Sequence, residues 1–386
     1  MKIAYICTEK LPSPAVKGGA IQMMMDGISP FLSKKHDLTI FSVTDPELPN
    51  HEVQDNVQYI RFPRENYRFS VAEELEKHNF DIIHVFNRPK NVVLYKSAAP
   101  NSKFVLSLHN DMFSSKKISN EEGQEVIEQV SYITTVSKYI KHEVLKRFPE
   151  ANDKIKVVYS GVDLSSYPPV WSEDGKMIRK LFREKFGVED KKVILFVGRL
   201  SNTKGPHLLI RALEGLLKLH DDVVLMIVGG KWFSDNGMNS YVEFLYKLAE
   251  PIKDKVIFTK FISPEDIPNM FLLGDIFVCS SQWNEPLARV HYEAMAAGIP
   301  LITTNRGGNA EVVINGYNGV VIDQFNLPSA FAKAIHQTLL EPDLAEMKAR
   351  NGREDVESMF EFEHVADRYE QVYLLAYDVK ESLEIN

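Results

Sequence analysis

Short apolar runs recur along the chain, separated by longer amphipathic stretches. Runs at Lys2–Cys7, Leu38–Val43, Val57–Phe62, Asp81–Phe86, Lys103–His109, Tyr132–Val136 and Lys156–Tyr159 lack polar–apolar alternation. A strand that is apolar at consecutive positions is buried on both faces, as in a parallel sheet. Between these runs, stretches such as Ile21–Leu32 and Lys138–Phe148 space their apolar residues by three and four, the period of a helix. Strand–helix alternation builds βαβ units, so the chain reads as a doubly wound α/β fold.

The pattern pauses at Ser160–Asp190, where Tyr167-Pro168-Pro169 and a charged stretch predict a linker. It then restarts. Strands are predicted at Lys192–Val197, Val223–Val228, Lys255–Phe261, Asp275–Cys279, Pro300–Thr304 and Gly319–Ile322. Helices are predicted at His207–Leu219, Tyr241–Ala249, Ala288–Ala297 and Pro328–Leu340. The 386 residues suit two domains. The first spans 1–165 with a C-terminal helix at about 362–386, where Phe362–Leu383 has no strand left to pair with; the second spans 166–361. A ligand shared by two such halves is expected in the cleft between them, at the carboxyl ends of both sheets.

Charge and apolar length narrow the function classes. With 45 basic and 53 acidic residues, the net charge is −8, which argues against general binding to nucleic acid or anionic membranes but leaves room for a local basic pocket. No apolar stretch approaches the roughly 20 residues of a membrane span. The N-terminus breaks at Thr8-Glu9-Lys10-Leu11-Pro12 too early for a signal-peptide core, so a cytoplasmic location is expected. Cys7 and Cys279 lie in apolar runs and read as buried free thiols.

The loops after strands are where chemistry is expected. Lys17-Gly18-Gly19-Ala20 follows the first strand and precedes a helix. Adjacent glycines there let backbone amides approach an anionic ligand, although a plain turn reads the same way. No G-x-G-x-x-G and no G-x-x-x-x-G-K-[ST] occurs, so the dinucleotide and P-loop fingerprints are missing. In the second half, Gly198-Arg199-Leu200-Ser201-Asn202-Thr203-Lys204-Gly205 places two cations where a diphosphate binds in such folds. After Asp275–Cys279 comes Gln282-Trp283-Asn284-Glu285-Pro286-Leu287-Ala288-Arg289-Val290-His291-Tyr292-Glu293. Pro286 suits a first helical position, which predicts a helix N-terminus near Pro286–Arg289 with free amides for phosphate. Glu285 then stands ahead of the helix and Glu293 two turns along it. That separation, about 12 Å, is too long for a glycosidase pair but suits two ends of one long ligand. Taken singly, Glu285 also fits a partner for the helix dipole, and Glu293 a buried structural acid.

Together these motifs resemble the retaining glycosyltransferases of family 4. Glu285 and Glu293 match its E-x7-E signature. The Gly-Arg-Leu-x-x-x-Lys-Gly loop, Glu293-Ala294-Met295-Ala296-x-Gly298-x-Pro300, Arg306-Gly307-Gly308-Asn309-x-Glu311 and Asn315-Gly316-x-Asn318-Gly319 follow in the family's order. Cys7-Thr8-Glu9-Lys10-Leu11-Pro12 and Ser280-Ser281-Gln282-Trp283 resemble a spore-coat branch. The resemblance implies a GT-B fold: two Rossmann-like doubly wound domains, an interdomain cleft, and a C-terminal helix crossing back to the first domain. It implies transfer of a hexose from a nucleotide sugar, with UDP the expected nucleotide, to an acceptor glycan or small molecule, in spore coat or surface glycan synthesis. No cofactor or metal is implied, and the chain has no Asp-x-Asp. Residue by residue, Gly18 and Gly19 would face phosphates and acceptor. Arg199 and Lys204 would bind the diphosphate, and Glu285 and His109 would stand at the transferred sugar. Backbone of Leu287, Ala288, Arg289 and Val290 would flank sugar and phosphate, Glu293 would hold the ribose, and Phe261 and Ile262 would flank the base. Leu287, Ala288 and Arg289 depart from the family's frequent Phe-Gly and small residue, and Ile262 from a frequent Gly. Two other readings remain: a coat protein that keeps the fold without catalysis, and a nicotinamide-dependent oxidoreductase or epimerase, against which the missing glycine fingerprint counts.

Overall fold

The structure, a computed structural model, describes residues 1–231 and 237–378. The chain divides into two compact units: Met1–Gly161 together with the helix Phe362–Asp378, and the continuous stretch Val162–Glu361.

The first unit is built on eight strands: β1 (Lys2–Ile6), β2 (Asp37–Val43), β3 (His51–Gln54), β4 (Val57–Phe62), β5 (Ile82–Phe86), β6 (Lys103–Leu108), β7 (Tyr132–Thr135) and β8 (Ile155–Val157). Their order is β3-β4-β2-β1-β5-β6-β7-β8, and every pair is parallel except β3 with β4. The interior strands are the apolar runs of the sequence; β5 is buried at every position. The polar strand β3 carries no apolar run. It is joined to β4 by Asp55 and Asn56, both at positive φ (50° and 62°), the backbone that a two-residue hairpin turn needs.

The C-terminal helix Phe362–Asp378 belongs to this unit. Phe362, Val365, Ala366, Tyr369, Val372, Tyr373 and Ala376 join one core with Tyr5 of β1 and with Met24, Met25 and Ile28 of the helix Ala20–Leu32. A buried polar chain fastens it further: the Tyr373 hydroxyl lies 2.8 Å from that of Tyr5 and 2.7 Å from His84 Nδ1, and His84 Nε2 lies 2.6 Å from Ser107 Oγ. The part of the expected helix beyond Asp378 lies outside the described residues.

The second unit has six parallel strands: β9 (Lys192–Val197), β10 (Val223–Val228), β11 (Val256–Lys260), β12 (Ile276–Cys279), β13 (Leu301–Thr304) and β14 (Val320–Ile322), in the order β11-β10-β9-β12-β13-β14. The helix Pro206–Leu216 buries Leu208, Leu209, Ala212, Leu213 and Leu216 against β9 and β10. Two such open sheets with helices are the Rossmann-like pair of the GT-B fold.

One expectation is corrected. The linker predicted at Ser160–Asp190 contains a 14-residue helix, Glu173–Phe186. Its signals were present in the chain. Ser172 caps the first turn, its Oγ accepting from Gly175 N at 3.0 Å, and Gly187 closes the last turn in the left-handed conformation. Arg179 and Arg183 of this helix both bind Asp275, at 2.6 and 3.2 Å, which ties it to the start of β12. Cys7 and Cys279 are both free and buried. Among the described residues, no helix is long and apolar enough to cross a membrane.

Candidate functional site

The loops that follow β9, β12 and β13 meet at the carboxyl end of the second sheet. Lys204 closes a short 3-10 turn, Asn202–Lys204. Its carbonyl accepts from Ser280 Oγ at 2.9 Å, and the Thr203 carbonyl accepts from Gln282 N at 2.8 Å. These bonds lock the β9 loop against the β12 loop and fix where the Lys204 ammonium points. It donates to both Glu285 oxygens, at 2.9 and 2.8 Å. Ser281 Oγ and Trp283 Nε1 also donate to Glu285 Oε2, at 2.8 and 2.6 Å.

Glu285 is only 6% exposed. Burial alone would push its carboxyl up, but the Lys204 charge and the hydrogen bonds from Lys204, Ser281 and Trp283 outweigh it and hold the carboxyl below its ordinary value. The site therefore keeps a desolvated, ionised carboxylate. Arg199, after β9, is half-buried. Burial lowers its pKa while the Glu285 charge raises it, so the two lie within electrostatic reach.

The backbone of Glu285 is gripped from the loop after β13. Its carbonyl accepts from Gly308 N at 2.8 Å. Gly307 lies at φ 60°, and a Cβ there would sit 1.9 Å from Glu285 O, so only glycine fits this approach. Asn309 Oδ1 accepts from Ala288 N at 3.4 Å.

The helix after Glu285 starts later than the sequence predicts. It runs Val290–Ala297 with Arg289 as its N-cap, and Pro286 lies in the preceding loop. The grip of Gly307, Gly308 and Asn309 on Glu285 and Ala288 holds that loop out of helical geometry. Glu293 consequently belongs to the first turn, not the second, and the helical rise used to separate the two carboxylates does not apply. Glu293 is 6% exposed and pairs with Arg289 at 3.4 Å. Burial raises its pKa, and Arg289 offsets part of that rise. His291 is fully buried with Nε2 2.8 Å from Thr303 Oγ1. Burial, against the Glu285 charge, pushes its pKa down to about 3, so it stays a neutral tie between the helix and β13.

Phe261 and Ile262 directly follow β11, beyond Lys260 at φ 63°. A cavity of about 300 Å³ opens near that strand end, lined by Leu200, Gly229, Tyr246, Phe258 and Lys260 among others.

The remaining candidates lie in the first unit. Gly18 and Gly19 stand at φ 74° and 107°, two consecutive positive values that turn the chain from β1 into the helix Ala20–Leu32. His109 follows β6, its backbone N–H donating to Asn87 Oδ1 at 3.1 Å. In the sequence, Ser281, Trp283 and the Gly307–Asn309 run stand only as motif letters. Their task, holding Glu285 and its loop, follows from the pairing of β12 with β13, which brings the two loops together.

Comparison with known proteins agrees with this frame. A family profile described as "Glycosyl transferases group 1" matches residues 178–355, and one described as "Glycosyltransferase Family 4" matches residues 21–166. The chain belongs to this glycosyltransferase family and is a transferase. It is 62% identical over 373 residues (97% of this chain, 92% of the relative) to YtcC of Bacillus subtilis (strain 168), provisionally named a glycosyltransferase. It is 47% identical, over 97% of this chain and 99% of the relative, to "Spore coat protein SA" of the same organism. Among solved structures, Anabaena HepE in complex with UDP-glucose superposes with a TM-score of 0.76 at 21% identity, covering 96% of this chain and 98% of that one.

Proposed function

We propose that the protein moves a hexose from a UDP-sugar to an acceptor hydroxyl with retention of anomeric configuration. What carries the reading is the buried, ionised Glu285, fixed by Lys204, Ser281 and Trp283 within reach of Arg199. In this reading the second unit binds the donor. Arg199 and Lys204 take up the charge of the departing diphosphate, preorganised in a desolvated site. Glu285 orients the sugar. Glu293 takes the ribose, Phe261 and Ile262 flank the base, and the backbone of Leu287, Ala288, Arg289 and Val290 flanks sugar and phosphate. From the first unit, Gly18 and Gly19 face the phosphates and the acceptor, and His109 stands at the transferred sugar. The step breaks the bond between the anomeric carbon and the diphosphate and joins that carbon to the acceptor oxygen; the acceptor proton passes to the leaving phosphate. Donor choice draws support from the HepE complex with UDP-glucose, and a role in spore coat glycan synthesis from the 47% identical coat protein.

The test is a panel of UDP-, GDP- and ADP-sugars, each offered with glucose, glucose 6-phosphate and glucuronate as acceptors, read as nucleoside diphosphate released. Release from a UDP-sugar supports the reading. Binding of UDP without release from any donor favours the second reading, a coat protein without catalysis. That reading has one observation of its own: Arg289, a departure from the family, pairs with the Glu293 carboxylate assigned to ribose.

A further inference from the structure

The carboxyl end of the first sheet runs against the charge of the whole chain. The chain carries −8, yet Lys10 after β1 and Arg64 and Arg68 after β4 are all exposed at that end. The Arg64 guanidinium donates to the Lys10 carbonyl at 2.6 Å, so the two loops are tied together. Arg68, one turn along, lies over the exposed Phe69 ring at 4.6 Å. Among the described residues, no carboxylate pairs with Lys10, Arg64 or Arg68. The neighbouring Arg88 is spoken for, since its Nε donates to both Glu9 oxygens at 2.8 and 2.7 Å. Glu9, Arg68 and Arg88 all lie within electrostatic reach of the Tyr95 hydroxyl. Counting Lys10, Arg64 and Arg68 against the adjacent Glu65 leaves an uncompensated positive patch.

The patch occupies a meaningful place. Ligands of open α/β sheets bind outside the carboxyl ends of the strands. The same end carries Gly18 and Gly19 after β1 and His109 after β6. Guanidinium forks match the paired oxygens of phosphate or carboxylate, which neutral hydroxyls cannot exploit as strongly.

We infer that the acceptor is anionic, bearing a phosphate or carboxylate group that Arg64 and Arg68 hold with Lys10 beside them. This rests on the proposed reading of the first unit as the acceptor side. The anionic group is not the reacting one; it anchors the molecule whose hydroxyl accepts the sugar.

The experiment is a calorimetric titration of the full chain in the presence of UDP. The probes are glucose 6-phosphate, glucuronate, glucose, and vesicles of phosphatidylglycerol or phosphatidylcholine. At least one anionic probe is expected to bind about tenfold or more tighter than its neutral counterpart, and less tightly as salt is raised. The double variant Arg64→Gln, Arg68→Gln is expected to erase that preference while leaving UDP affinity unchanged. Binding confined to the sugar phosphate or glucuronate identifies a soluble acceptor; binding confined to phosphatidylglycerol identifies a lipid-borne one. Equal binding of anionic and neutral probes overturns the inference, as does a preference that survives in the double variant. A chain that binds no UDP contradicts the donor reading instead, and the comparison of anionic with neutral probes is read independently of it.

Discussion

Both carboxylate oxygens of Glu285 accept from the Lys204 ammonium, at 2.9 and 2.8 Å, although the two residues stand 81 positions apart in the chain. The pair joins the loop after β9 to the loop after β12, so it is at once a structural clasp and the charged centre of the candidate site. Removing one partner from a buried pair strands the other's charge. Lys204→Ala should therefore lower stability by about 3 kcal/mol. Glu285→Gln, which keeps hydrogen-bonding capacity, should cost less. Urea unfolding of the two variants and their double mutant measures the coupling. A double mutant as unstable as the sum of the singles would show that the pair is not coupled.

Gly307 makes the grip on Glu285 possible, and its replacement should be felt at both levels. A Cβ at Gly307 would sit 1.9 Å from Glu285 O, and the residue stands at φ 60°. The left-handed backbone alone costs a non-glycine residue about 1–2 kcal/mol. Gly307→Ala should depress the melting temperature and also cut turnover, because the displaced atom belongs to Glu285. A variant that is destabilised yet fully active would detach Gly307 from the site.

In the first unit, Asp26 accepts from Ser13 Oγ and from Ala15 N, under the loop that leads to Gly18 and Gly19. Burial raises its carboxyl from 3.8 to about 6, against the opposing hydrogen bonds from Ala15 and Ser13 and the charge of Arg61. A raised value means that the folded state holds the proton longer than the unfolded one. Asp26 therefore makes stability fall as pH rises from about 4 to about 6. Glu285 acts in the opposite sense: its lowered value contributes stability at neutral pH that is lost as pH falls through the folded-state value. Stability measured from pH 3 to pH 7 should lose the first component in Asp26→Asn and the second in Glu285→Gln. Identical profiles in wild type and Asp26→Asn would contradict the assignment.

Tyr373 tests the anchoring of the C-terminal helix. Its hydroxyl meets Tyr5 and His84, both fully buried, and burial drives His84 well below its ordinary value, so the network is neutral. Tyr373→Phe leaves those partners short of a bond and should cost about 1–3 kcal/mol. Activity per folded molecule should stay unchanged. A variant as stable as the wild type would show that the partners re-pair.

Much of this was legible in the chain. Consecutive apolar runs such as Val223–Val228 announced parallel strands because both of their faces are buried. The helix Pro328–Leu340 was read to the residue, since its period and its leading proline agree. Strand β3 was not legible, because its pairing rests on the Asp55–Asn56 turn and not on apolar content. The late start of the Val290 helix was hidden for a different reason. Pro286 favours a first helical turn locally, but Gly307 and Gly308, some twenty positions downstream, hold Glu285 in another conformation. A contact between neighbouring strand loops leaves no trace in local spacing.

The central claim is that Glu285 acts on the transferred sugar and does not hold the nucleotide. It is tested by measuring UDP release under single turnover, and UDP affinity by calorimetry, in wild type and Glu285→Gln. The account predicts a loss of turnover of at least about a hundredfold, as for a misplaced reacting group, with UDP affinity within about threefold of wild type. Turnover that survives intact in Glu285→Gln would contradict it.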